Sequence, residues 1–120
     1  MKAILNSVTP LIPSGRISLA AALQFYTTHL GFAVRWQGPI MAGIGRDGID
    51  FNLVENAAPE WVDNCSHSIG VSDLDALYAE YKDVPARVGP LEVKPWGRRE
   101  FHLIVPTGTC LQFYELGALG

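Results

Sequence analysis

Gly48-Ile49-Asp50-Phe51-Asn52-Leu53-Val54-Glu55 has a counterpart near the other end of the chain in Gly108-Thr109-Cys110-Leu111-Gln112-Phe113-Tyr114-Glu115. Both stretches open on a glycine, alternate residue by residue around a central carboxamide and close on glutamate. A repeated strand of this kind implies two copies of one module facing a shared groove. Neighbouring side chains of a strand point to opposite sides of the sheet. Ile49, Phe51 and Leu53, matched by Leu111 and Phe113, therefore form the face that packs under helices. Asp50 and Asn52, or Cys110, Gln112 and Tyr114, are left to line the concavity between the modules.

Working outward, residues 3–12 mix branched and polar side chains and end at Pro13-Ser14-Gly15, which reads as a strand running into a turn. Ser18 can cap the helix that follows, with Leu19, Leu23, Tyr26 and Leu30 at helical spacing and Gly31 suited to the left-handed position after it. Strands over 32–37, 40–46 and 49–54 are separated by the turn dipeptides Gly38-Pro39 and Asp47-Gly48. Residues 55–64 lack periodicity and read as a linker. The order then restarts with a strand over 66–71 and a helix capped by Ser72, with Asp75 completing a capping box and Leu74, Leu77, Tyr78 and Tyr81 on its apolar stripe. Pro85, Gly89, Pro90 and Pro95 make residues 84–95 an irregular or edge strand. Phe101, Leu103 and Val105 then alternate with Glu100, His102 and Ile104 into the turn at Pro106-Thr107-Gly108. The expected architecture is α+β, two βαβββ modules over residues 1–55 and 66–115 of a single domain spanning 1–120, with a mixed curved sheet and helices on its outer face.

A chain of 120 residues is long enough for one real core and too short for two independent domains. No apolar run approaches the ~20 residues that cross a bilayer, and the amino terminus has no secretion signal, so a soluble, cytoplasmic protein is expected. Cys65 and Cys110 have no CxxC spacing and read as reduced thiols. A net charge of −3 disfavours nucleic acid and mildly attracts a cationic small molecule.

The duplication, with its closing turn and strand Thr107-Gly108-Thr109-Cys110-Leu111-Gln112-Phe113, resembles the vicinal-oxygen-chelate superfamily of glyoxalases, extradiol dioxygenases, fosfomycin-resistance enzymes and bleomycin-binding proteins. Within it, His29-Leu30-Gly31-Phe32, Met41-Ala42-Gly43-Ile44, Asp63-Asn64, Leu74-Asp75-Ala76-Leu77-Tyr78-Ala79-Glu80-Tyr81 and Pro95-Trp96-Gly97-Arg98-Arg99-Glu100-Phe101 resemble the bleomycin resistance proteins, in order, over roughly residues 7–115. This resemblance implies sequestration of bleomycin-family antibiotics without modification. It also implies a homodimer whose amino-terminal strand is exchanged about a hinge at Pro10, and two interfacial grooves with aromatic rings that hold the flat tail of the drug. Trp36, Trp96 and Met41 match groove positions; from the residues alone, the two tryptophans could equally be core or interface. Ser68 and Asn52 replace bulkier residues, Arg98-Arg99 adds an arginine, and Val105-Pro106-Thr107-Gly108-Thr109 departs from the family turn, which implies a wider or differently shaped groove.

An enzyme of the superfamily holds a divalent metal with His, Glu or Gln from the first and last strands of each module. Those places fall here near Thr9 or Pro10, at Asn52, at Ser66 and at Gln112, and none is a histidine or carboxylate. Neutral amides and hydroxyls do not offset desolvation of a dication, so neither metal nor other cofactor is expected. His29 complements the carbonyl end of the first helix, and His67 reads as a hydrogen-bonded histidine at the core edge. His102 shares a face with Glu100 and is open to ligand contact or to plain exposure, without a nucleophile or oxyanion hole that would make the pair catalytic. Trp61 reads as a cover over the module junction. The expected site is Trp36 and Trp96 for stacking, Met41 for apolar lining, and Asn52, Ser68, His102 and Gln112 for polar lining. A metal-dependent lyase or thiol transferase, or a binder of another planar molecule, are the alternatives.

Overall fold

The computed structural model describes residues 1–117. The first module runs β1 (Leu11–Pro13), α1 (Leu19–His29), β2 (Ala33–Gln37), β3 (Met41–Arg46) and β4 (Ile49–Val54). A short helix α2 (Pro59–Asn64) leads to the second, with β5 (Ser66–Val71), α3 (Leu74–Tyr81), β6 (Arg87–Val88), β7 (Glu92–Val93), β8 (Arg99–Ile104) and β9 (Cys110–Glu115). The mixed pairing is divided between a four-stranded sheet ordered β1-β4-β3-β2 and a five-stranded sheet ordered β5-β9-β8-β6, in which β7 also pairs with β8. The first and last strands of each module run parallel, Leu11 opposite Asn52 and Ser68 opposite Gln112. The repeat seen in the sequence is thus a repeat of topology.

The period-two pattern decides which face is buried. Phe51, Leu53, Leu111 and Phe113 are at most 3% exposed and join one cluster of buried side chains that spans both modules. Where the modules meet, the Phe51 and His67 rings lie 5.6 Å apart. At the same junction the Tyr81 hydroxyl donates to the Leu30 carbonyl at 2.6 Å, and Arg46 reaches that carbonyl at 2.9 Å while gripping Glu80 at 2.7 and 3.0 Å. Burial pushes the Tyr81 phenol up to about 12.

Four local expectations are corrected. The strand expected over 3–12 shrinks to Leu11–Pro13. The Pro10 carbonyl accepts from the Asn52 N–H at 2.8 Å, but proline has no N–H to carry the ladder further back. Ile4, Leu5 and Val8 are left largely exposed. The linker contains α2, begun by a proline where its missing N–H costs nothing and anchored by the buried Val62. Helix α3 is capped by Asp73 rather than Ser72, its carboxylate accepting from the Ala76 N–H at 3.1 Å. Asp75 does not close a capping box; it pairs with Arg99 at 2.6 Å, and the guanidinium holds its carboxyl below the usual range. Among the described residues no helix is long and apolar enough to cross a membrane.

Candidate functional site

The polar faces of the two sheets carry the expected site residues as two panels. On the first, Trp36 stands opposite Gly43 across the β2–β3 ladder, and Gly43 stands opposite Asn52 across β3–β4. A β-carbon on Gly43 would collide with the indole, so the ring lies against bare backbone. Trp36, Gly43, Asn52 and Thr9 line a cavity of about 290 Å³ whose remaining polar wall is Arg35, paired with Asp50 at 3.1 Å. Met41 lies on the same side of β3 as Gly43 by alternation and is partly buried, outside that lining.

The second panel is a cross-strand row. Ser68, Gln112 and His102 are register partners on β5, β9 and β8. The Gln112 amide donates to the Ser66 hydroxyl at 2.9 Å and accepts from Ser68 at 3.3 Å. Trp96, in the turn before β8, stacks on the His102 ring with centroids 6.5 Å apart and planes 19° from parallel. Beneath this stack the Glu100 carboxylate is fully buried, held by Arg98 at 3.0 Å and facing His102 Nε2 at 3.1 Å. The Arg98 guanidinium in turn lies 3.9 Å over the Tyr114 ring. Sequence reading paired Glu100 with His102 and put Tyr114 on the same groove face as Gln112, but gave Arg98 no part in that panel. The spacing Trp96, Arg98, Glu100, His102 carries the signal, broken only by Gly97 at φ 89°.

No residue of the second panel lines the cavity of the first.

The four positions that hold a metal in superfamily enzymes fall two to a panel. Thr9 and Asn52 border the first cavity, while Ser66 and Gln112 bond each other. These are neutral donors, and both ends of the Gln112 amide are already engaged by Ser66 and Ser68. The set does not suit a divalent cation. His67 sits half-buried beside Phe51, and burial lowers its pKa, consistent with a core-edge role. His29 packs its ring against Phe25 at 5.3 Å in the last turn of α1.

The family model described as "Glyoxalase/Bleomycin resistance protein/Dioxygenase superfamily" matches residues 16–113. No curated protein matches the sequence. Among solved structures, the bleomycin-binding protein from bleomycin-producing Streptomyces verticillus, complexed with copper(II)-bleomycin, superposes with a TM-score of 0.76 at 24% identity over 92% of this chain and 97% of its own. The bleomycin resistance determinant encoded on transposon Tn5 superposes at 0.80 and 21% identity over 92% and 98%. TnmS3, an antibiotic-binding protein from Streptomyces sp. CB03234, does so at 0.71 and 19% over 94% and 98%. At these identities the likeness is one of fold. With the family match covering most of its length, the chain belongs to the glyoxalase/bleomycin resistance protein/dioxygenase superfamily.

Proposed function

We propose that the protein binds bleomycin-family glycopeptide antibiotics stoichiometrically and sequesters them unmodified, as a cytoplasmic homodimer. The carrying observation is that each panel presents an indole on a rigid support, Trp36 on the Gly43 backbone and Trp96 on the His102 ring, with 46% and 58% of the residue still exposed. A planar heteroaromatic group can stack on such rings for on the order of 1 kcal/mol each beyond burial. The surrounding amides and hydroxyls of Asn52, Ser68 and Gln112 supply orientation.

In this reading the two panels that wall one groove come from different chains. The exposed Ile4, Leu5 and Val8 ahead of Pro10 supply an apolar arm for the exchange that would join the two. Of the four places where a metal-dependent superfamily enzyme would carry His, Glu or Gln, the chain has such a residue only at Gln112, with Thr9 or Pro10, Asn52 and Ser66 at the others. The small Ser68 next to Gln112 also suits a differently shaped planar guest.

Titration of intrinsic tryptophan fluorescence with bleomycin tests the reading. Saturable quenching at one drug per chain is expected, with affinity about fivefold weaker in Trp96→Ala, the equivalent of losing one stacked ring. Unchanged emission at micromolar drug would refute the ligand.

A further inference from the structure

One cavity of the molecule lies away from both panels. It is a cleft of about 510 Å³ between the modules, on the side where the β3–β4 turn approaches the start of α3. That size lies within the roughly 300–1,000 Å³ of small-molecule sites. Its floor is apolar, built from Phe32, Ile49, Ile69 and Leu77.

The internal repeat shows what kind of group belongs there. Gly48 and Gly108 occupy equivalent places, each in the turn before the last strand of its module. Over Gly108 the junction is filled, and a β-carbon there would collide with Val62 of α2 and with the guanidinium of Arg16, which is itself paired with Asp63 at 2.5 Å. Over Gly48 a β-carbon would meet nothing within 4 Å, and Gly48 lines the open cleft. One half of the molecule therefore covers its turn glycine with an apolar side chain and a cation, while the other leaves the same space open.

The charges at the open rim complement a cation. Among the described residues, Asp47, Asp73 and Glu80 border the cleft against Arg46 alone. That guanidinium is engaged by Glu80, the Tyr81 hydroxyl at 2.9 Å and the Leu30 carbonyl at 2.9 Å. Asp47, though 3.5 Å from Arg46 Nε, has a side chain 89% exposed. We propose that this cleft is a second small-molecule site, distinct from the two panels, for an amphiphilic cation: a compact apolar body seated on Ile49, Ile69 and Leu77 beside Gly48, with one ammonium or guanidinium group at the Asp47 and Asp73 edge.

Amide-resolved NMR titration of the full chain with 4-phenylbutylamine, and with 4-phenylbutyrate as the charge-reversed control, tests this. The amine is expected to give saturable shifts at Gly48, Gly70, Val71 and Leu77, and the acid to bind roughly tenfold more weakly. Asp47→Asn, which leaves the floor untouched, weakens the amine roughly two- to fivefold, as expected for one exposed charge. Leu77→Trp fills the cleft and removes the shifts. The assignment is overturned by absence of saturation at millimolar amine, by equal binding of amine and acid, by shifts that survive in Leu77→Trp, or by shifts confined to the panels around Trp36 and Trp96. It is equally overturned if the cleft amides move with protein concentration alone, since a second copy would then fill the space.

Discussion

Trp36 reaches its cavity only because the residue across the strand is glycine. In Gly43→Ala the new β-carbon occupies the position of the indole, and a ring that is already half-exposed swings outward. The expected result is a red shift of Trp36 emission and drug affinity about fivefold weaker, the loss of one stacking contact. Unaltered emission and affinity would show that the close approach of ring and glycine has no consequence. At this scale the sequence was informative wherever strict alternation held. Asn52, Gln112 and His102 could be assigned to the polar face from Phe51, Leu111, Phe113 and Phe101 alone. It was uninformative about what those side chains touch. The stacking of Trp96 on His102 and the burial of Glu100 under Arg98 depend on a turn whose left-handed Gly97 interrupts the alternation.

Elements were legible in proportion to their periodicity. Helix α1 and strands β3, β4, β8 and β9 follow from apolar spacing and turn dipeptides, and Ser18 caps α1 as expected, accepting from the Ala21 N–H at 3.1 Å. Helix α2 escaped because six residues make less than two turns, too few for a stripe to repeat. The start of α3 was misplaced by one residue. Ser72 and Asp73 are both competent caps, and the choice falls to Asp73 through a left-handed backbone, φ 61°, that propensity does not favour. Asp73→Ala therefore removes the cap and also leaves a β-carbon in the left-handed region; it should cost at least about 1 kcal/mol in urea unfolding. Asp73→Gly should cost less, because glycine adopts that backbone freely. Equal losses for the two variants would mean that the backbone conformation contributes nothing.

At the scale of the molecule, the duplication visible in the two matching strands fixed the fold, whereas the disposition of the modules was hidden. Two repeats can enclose a groove within one chain or turn their polar faces apart, and the same alternating pattern serves both. The contact of Phe51 with His67 joins the two modules in one core, and the proposed function takes the second arrangement. On the proposed function a composite groove depends on a partner chain, with the exposed Ile4, Leu5 and Val8 as the means of joining. Deletion of residues 1–9 should convert a dimer to monomers in sedimentation velocity and abolish drug binding while leaving the circular dichroism of the folded modules intact. A truncated protein that still sediments as a dimer would disconnect the arm from assembly.

The central claim is that rings and neutral dipoles hold an unmodified drug without a metal ion supplied by the protein. Calorimetric titration of chelator-treated protein with metal-free bleomycin, followed by mass analysis of the released drug, tests it most directly. Saturation at one drug per chain with the drug mass unchanged is the expected result; no saturable heat at micromolar concentrations, binding that requires added zinc or manganese, or a drug of altered mass would contradict it.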